Sequence, residues 1–168
     1  DPAGKYLAVG GNNGGTEATI YSFDGATLSS ITTQAHGNEA KAIAWSPNGS
    51  YLAVGGDNDP NDLIVYTWNG STLSSPINQD FGTKVNGLSW HPSGNLLAVA
   101  GDNNTAGDLV IYTWNGLSLT YTDSKDFGTE AFDVAWSHDG NYLAVSGNNS
   151  TTDVIVYSWN GAHLSQLT

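Results

Sequence analysis

Tyr51-Leu52-Ala53-Val54-Gly55 is one of four similar five-residue segments in the 168-residue chain, and the other three occupy residues 6–10, 96–100 and 142–146. The spacings between them are 45, 45 and 46 residues. Each copy follows a turn sequence and is followed in the same order by an acid, an aromatic residue and a glycine. The acids are Glu17, Asp62, Asp108 and Asp153, and the aromatic residues are Phe23, Trp68, Trp114 and Trp159. Repetition at this period indicates a repeat architecture, so the chain is predicted to contain four copies of one structural unit.

Each repeat is predicted to form four short strands, which we letter a to d. In the second repeat, strand a ends at Trp45, strand b contains residues 51–54, strand c residues 63–68 and strand d residues 73–77. These segments are rich in β-branched and aromatic residues, and Pro-x-Gly or Asn-Gly turns separate them. Four antiparallel strands in about 45 residues are typical of a propeller blade.

The sequence therefore predicts an all-β protein, a single β-propeller over residues 1–168. Its blades are expected at approximately 1–34, 35–80, 81–126 and 127–168. The first blade is predicted to lack its innermost strand, because Asp1 aligns with Ser46, His91 and Ser137, which directly follow the strand-a tryptophans. Because a missing strand exposes the edge of its neighbour, we expect a fragment of a longer propeller or one copy in an oligomeric ring.

The charge of the chain excludes two classes of partner. The net charge is −12, and the chain has four lysines and no arginine. Nucleic-acid binding requires basic groups that displace phosphate counterions, so neither nucleic acid nor an anionic membrane surface is expected as a partner. Cysteine is absent, which excludes disulfides and thiolate metal sites and leaves the cellular compartment unspecified. No apolar run is long enough for a transmembrane helix.

One pattern resembles a known family. Residues 85–98, Val85-x-x-Leu88-Ser89-Trp90-His91-Pro92-Ser93-Gly94-Asn95-Leu96-Leu97-Ala98, followed by Trp114-Asn115, are similar to the repeat of WD-repeat β-propellers, and the resemblance extends over the whole chain. Two features depart from the family pattern: Asn replaces Asp after Trp114, and Gly82-Thr83 replaces the family's Gly-His. The resemblance implies an interaction scaffold, and of the family's polar network only the repeated acid matches.

The loops between strands b and c are the candidate site, because they are the one repeated polar feature. Their acids and amides suit a basic or hydroxyl-rich partner, although Asp and Asn are also common in tight loops for conformational reasons. In the geometry that the resemblance implies, these loops share a face with the d–a loops. The candidate binding residues are Asp57, Asn58, Asp59, Asp62, Asp102, Asn103, Asn104, Asn148 and Asn149.

We expect a non-enzymatic interaction scaffold that presents these loops to a protein partner or assembles with other copies of itself. The alternative is a lectin-like module that binds carbohydrate or calcium. Calcium prefers oxygen ligands, and Asp57, Asp59 and Asp62 would supply them; no other cofactor is expected. No catalytic residue is assigned, because the chain lacks a Gly-x-Ser-x-Gly elbow and its histidines lie in separate turns.

The strand-a tryptophans help to distinguish the scaffold from the carbohydrate-binding alternative. Trp45, Trp90 and Trp136 occupy the same position in successive repeats. Aromatic rings at a fixed strand position supply buried area between sheets, so these three are predicted to be largely buried between blades rather than to form a carbohydrate platform.

Overall fold

The computed structural model describes residues 1–12, 14–58, 60–103, 106–149 and 152–167. Within these ranges the chain forms fifteen β-strands and no helix, and therefore no helix long and apolar enough to cross a membrane. The strands are β1 (Tyr6–Gly10), β2 (Ala18–Phe23), β3 (Leu28–Gln34), β4 (Glu39–Trp45), β5 (Tyr51–Asp57), β6 (Leu63–Trp68), β7 (Leu73–Gln79), β8 (Lys84–Trp90), β9 (Leu96–Asp102), β10 (Leu109–Trp114), β11 (Leu119–Lys125), β12 (Glu130–Trp136), β13 (Tyr142–Asn148), β14 (Val154–Trp159) and β15 (Leu164–Gln166).

The strands form four separate antiparallel sheets. The first contains β1 to β3, and the second, third and fourth contain β4 to β7, β8 to β11 and β12 to β15. Within each sheet, every strand pairs with its neighbours in the chain. The prediction of an all-β protein with four antiparallel sheets of three or four strands is confirmed, and the first sheet has three strands among the described residues.

The sheets pack face to face in chain order, first on second, second on third and third on fourth. Successive side chains of a strand point to opposite faces, so each inner sheet supplies two interfaces. In β5, Ala53 packs toward the third sheet, whereas Leu52 and Val54 pack toward the first. The five central residues of β5 are all buried, which explains why the strand-b sequence is continuously apolar rather than alternating.

The strand-a tryptophans are buried to different degrees. Trp90 is 7% exposed, and its indole Nε1 donates a 3.1 Å hydrogen bond to the carbonyl of Ala44 in the second sheet. Trp45 and Trp136 are only partly buried, so the prediction of large burial holds fully for Trp90 alone. Trp90 lies in the interface between the second and third sheets, each of which packs against a sheet on both sides. Trp45 and Trp136 lie in the interfaces with the first and the fourth sheet.

Candidate binding face

The loops at one end of the sheets are joined across blades by a repeated acid. The Oδ2 atom of Asp62 accepts hydrogen bonds of 3.3 Å from the backbone amides of Phe81 and Gly82, which lie in the loop leading into the third sheet. Asp108 accepts equivalent bonds of 3.1 Å from Phe127 and Gly128. The b–c loop of one sheet therefore lies beside the d–a loop that follows it. We call the surface formed by the described residues of these loops the loop face; it comprises residues within 11–17, 35–38, 57–62, 80–83, 102–108, 126–129 and 148–153.

The repeated acids of the first three repeats are buried and have a structural role. Glu17, Asp62 and Asp108 are 1%, 0% and 6% exposed. The backbone amides of Gly15 and His36 hold the pKa of Glu17 below its usual value. Burial instead raises the pKa of Asp108 despite its bonds to backbone amides. In both cases the carboxylate accepts a hydrogen bond from a buried backbone N–H group, that of His36 or of Phe127, and this fixes the loops.

Amide side chains of the b–c loops lie against glycines of the d–a loops. Gly82 and Gly128 have φ values of +137° and +129°, a region that disfavours other residues, and a Cβ at Gly82 would lie 3.2 Å from the Cα of Asn103. Asn103 accepts a 2.9 Å bond from the amide of Ala106, and Asn149 donates to the carbonyl of Phe127. Asn103 therefore has a structural role in the loop.

The structure places the predicted site residues in three groups. Asp62 and Asn103 are buried. Asp57, Asn58, Asp102 and Asn149 are partly exposed, and Asn148 is exposed. Asp59 and Asn104 lie outside the described residues. The accessible part of the predicted site is therefore the acids that begin the b–c loops together with the amides of the last loop.

Two adjoining hollows lie on the loop face. One, of about 420 Å³, is lined by Asp102, Asp108, Asp126 and Thr129 among others. The other, of about 520 Å³, has the more aromatic lining. Its lining includes Asp80, Phe81, Tyr112 and Tyr121. Asn103 and Ala106 line both hollows, which together we call the depression.

Sequence reasoning missed the d–a loops as a source of acids. Asp80 and Asp126 are exposed and line the depression. A repeated motif could have identified these acids, because Asp-Phe-Gly-Thr occurs at residues 80–83 and again at 126–129. Its phenylalanine is buried at both positions and its aspartate faces outward.

The electrostatics of the loop face are negative. Lys84, at its inner edge, pairs with Glu130 at 2.7 Å. This hydrogen bond raises the pKa of Lys84, and the Asp102 and Asp57 carboxylates contribute in the same direction. The lysine charge is thus offset by its partner. The carboxylates of Asp57, Asp80, Asp102 and Asp126 leave the face with a net negative charge.

The predicted calcium ligands do not converge within the described part of the chain, where no group of three His, Asp or Glu side chains is arranged to hold a metal ion. Both oxygens of Asp62 already accept backbone hydrogen bonds, Oδ1 from the amide of Asn58 at 3.2 Å. Because Asp59 lies outside the described residues, calcium binding stays a prediction.

Comparisons with known proteins agree on a propeller. The family model described as eukaryotic translation initiation factor eIF2A, which represents a WD-repeat-like propeller family, matches residues 4–167. A search of curated protein sequences gives no significant match. The resemblance to WD-repeat proteins is therefore supported at the coarse level of a β-propeller of that type.

The chain spans about half the length of three solved structures of similar fold. A candidate 6-phosphogluconolactonase from Bacteroides uniformis superposes with a TM-score of 0.77 at 15% identity over 97% of this chain and 53% of its own. A protein from Lactobacillus plantarum gives 0.72 at 13% identity over 96% and 58%. A chain of the mitotic checkpoint complex gives 0.68 at 20% identity over 90% and 49%. At these identities the similarity shows the fold.

The expectation that the chain is not an enzyme is contradicted by the first of these structures. A candidate lactonase has the same propeller architecture. The expectation was wrong because it was based on missing sequence motifs, whereas one fold can carry binding and catalytic functions alike, and a missing motif therefore does not exclude catalysis.

Proposed function

The chain belongs to the family of the eukaryotic translation initiation factor eIF2A, and from that premise we propose that it is a protein-interaction scaffold whose loop face binds a partner with a basic surface. One observation carries the proposal. Asp80, Asp102 and Asp126 line two adjoining hollows on loops that buried acids hold in place, and Asp57 belongs to the same loop face. Rigid loops on a sheet scaffold are suited to recognition, because little ordering entropy is lost on binding.

Charge complementarity determines the kind of partner. An acidic depression attracts lysine- and arginine-rich surfaces over distances of about one Debye length and repels anionic ones. The aromatic rings of Tyr112 and Tyr121 on its wall add apolar area for aliphatic side-chain stems. The name of the family supports translation initiation as the process in which such a scaffold acts.

A pair of double variants tests the proposal with a lysine- and serine-rich synthetic peptide as the probe. Asp57→Asn with Asp102→Asn removes two charges from the loop face, and no side-chain hydrogen bond of either residue supports the fold in the described structure. An exposed ion pair contributes about 0.2–1 kcal/mol, so the double variant is expected to bind about two- to thirtyfold more weakly. Isothermal titration calorimetry at two salt concentrations measures this.

The matched control is Asp24→Asn with Asp139→Asn, which removes the same charge from turns on the opposite side of the sheets. Asn69 and Asn48 occupy the equivalent positions of the second repeat and cap their turns through Oδ1, so these substitutions preserve the local structure. The control is expected to retain affinity. Equal losses in both double variants would show a nonspecific effect of net charge and would refute the loop face as the binding surface.

A further inference from the structure

Two tyrosines of the third sheet line one hollow beside the second sheet. Tyr112 on β10 and Tyr121 on β11 are paired directly opposite each other in the antiparallel ladder. Side chains paired in this way lie on the same face of a sheet. Both rings line the hollow of about 520 Å³, together with residues 79–82, which lead out of the second sheet. We call it the tyrosine hollow; it lies between two inner sheets, each of which packs against a sheet on both sides.

Tyr121 distinguishes the third repeat from the others. A tyrosine occurs in strand c of every repeat, at residues 21, 66, 112 and 157. The residue paired with it is Ser30 in the first sheet and Gln166 in the fourth. Tyr121 is 56% exposed, and its hydroxyl shares a 3.0 Å hydrogen bond with the hydroxyl of Ser124. The repeat therefore does not require an aromatic ring at this position, and Tyr121 adds exposed aromatic area to the tyrosine hollow.

The hydroxyl of Tyr112 is a polar group that the chain leaves without a protein partner. Tyr112 is 6% exposed, and its ring belongs to the core between the second and third sheets. Its hydroxyl makes no hydrogen bond within the part of the chain that the structure describes. Burial raises the pKa of Tyr112 to about 12, and the nearby carboxylate of Asp80 contributes in the same direction. A ligand that donates a hydrogen bond to this hydroxyl satisfies a buried polar group, which is favourable.

The tyrosine hollow carries a negative charge that no neighbouring cation offsets. Asp80 is exposed, and among the described residues its carboxylate takes part in no ion pair. The side-chain amide of Gln79 donates a 2.9 Å hydrogen bond to the carbonyl of Asp80 and so restrains the backbone at this position. The 168 residues contain no arginine, and no lysine is among the described residues that line the hollow. The hollow therefore suits a cation from another molecule.

We propose that the tyrosine hollow binds the guanidinium group of one arginine side chain of a partner protein, an inference that rests on the proposed function of the loop face. The guanidinium stacks on the ring of Tyr121 and donates hydrogen bonds to the carboxylate of Asp80 and the hydroxyl oxygen of Tyr112. A guanidinium is planar, weakly hydrated and carries five donors in fixed directions, whereas the lysine ammonium is a strongly hydrated point charge. The combination of ring, carboxylate and hydroxyl therefore selects arginine over lysine.

Two peptides of equal charge test this preference. One is the lysine- and serine-rich peptide, and the other has arginine in place of its central lysine. In isothermal titration calorimetry the wild type is expected to bind the arginine peptide about two- to fivefold more tightly, the effect of an exposed cation–π contact. Tyr121→Ser introduces the residue that the first sheet has at this position and is expected to abolish the preference. Tyr112→Phe keeps the buried ring and is expected to reduce it.

Asp80→Asn tests the carboxylate, and Asp126→Asn is its matched control. Both aspartates begin an Asp-Phe-Gly-Thr motif, and each contributes to a raised pKa of a strand-c tyrosine, Tyr157 in the case of Asp126. Tyr157 is paired with Gln166 instead of a second tyrosine. Both substitutions are expected to weaken the binding of both peptides through lost charge. Only Asp80→Asn is expected to remove the preference for arginine.

The possible outcomes separate this inference from the proposed function. Equal affinity of the wild type for the two peptides would overturn the arginine site and leave the loop face as the binding surface. A preference that persists in Tyr121→Ser, or that disappears equally in Asp126→Asn, would also overturn it. Binding of neither peptide would refute the proposed function and this inference together. If circular dichroism shows that Tyr121→Ser is unfolded, Tyr121→Gln replaces it, because the fourth sheet has glutamine at this position.

Discussion

The carboxylate of Asp108 accepts a 3.1 Å hydrogen bond from the backbone amide of Phe127, and this bond joins the b–c loop of the third sheet to the loop that enters the fourth. Asp62 and Phe81 are related in the same way one blade earlier. A buried acid thus fixes the position of each loop on the candidate binding face relative to the next.

Asp108→Ala is expected to lower the free energy of unfolding by about 1–3 kcal/mol, because it leaves the buried amide of Phe127 without an acceptor. Chemical denaturation monitored by tryptophan fluorescence measures the change. The matched control is Asp153→Ala, at the same position of the last repeat. Asp153 is exposed, and its loss is expected to change stability by less than about 0.5 kcal/mol. Similar losses in the two variants would argue against the interblade role.

His36 is predicted to make the protein sensitive to acid. It is 0% exposed at the position where the later repeats have Phe81 and Phe127, and neither ring nitrogen makes a hydrogen bond of ordinary geometry within the described residues. Burial lowers the pKa of His36, although the neighbouring Asp62 and Glu17 favour the charged ring. Since the native state binds the proton less readily than the unfolded chain, stability is retained above about pH 6.5 and falls as the pH decreases through the lowered pKa.

His36→Phe is expected to remove this acid-dependent loss and to raise stability at neutral pH, by as much as about 1–3 kcal/mol, because an apolar ring replaces a buried polar one. Thermal unfolding of both proteins between pH 5 and 8, the usual range of histidine titration, measures it. If the melting temperatures of the wild type and the variant changed with pH in parallel, His36 would not be the source of the acid sensitivity.

Trp90 is predicted to be a main anchor between the second and third sheets. Trp90→Ala is expected to cost about 3–5 kcal/mol through the cavity that it leaves. Trp90→Phe keeps most of the apolar volume and removes the hydrogen bond to Ala44, so it should cost about 0.5–1.5 kcal/mol. Urea denaturation of both variants gives the two values. Equal costs would mean that packing of the ring system contributes little at this interface.

Calcium binding at Asp57, Asp59 and Asp62 predicts a melting temperature that rises at millimolar calcium; no change would argue against this alternative and would agree with the backbone hydrogen bonds that the oxygens of Asp62 already accept. A ligand that binds the native state raises the melting temperature with its concentration. A dose-dependent increase that a chelator reverses would therefore support the calcium alternative and the involvement of Asp57 and Asp59.

The repeat made the fold predictable, because the spacing of apolar and turn residues alone defines the strands of a propeller. It did not reveal which repeated polar residues are accessible. Asp62 and Asp57 are both loop acids in the sequence, yet one is buried against amides nineteen residues later along the chain and the other is partly exposed. Burial of this kind depends on contacts between sheets. The same applies to Trp45, which is only partly buried although it occupies the same strand position as the buried Trp90.

Binding at the loop face is tested most directly by amide chemical-shift mapping of the isotope-labelled chain titrated with the lysine- and serine-rich peptide. Shift changes are expected to concentrate on the loop face, at residues 57–58, 80–83, 101–103 and 126–129, and added salt is expected to reduce them. Changes concentrated at the opposite turns, residues 46–50, 91–95 and 137–141, or spread evenly over all exposed acids, would contradict the assignment of the loop face as the binding surface.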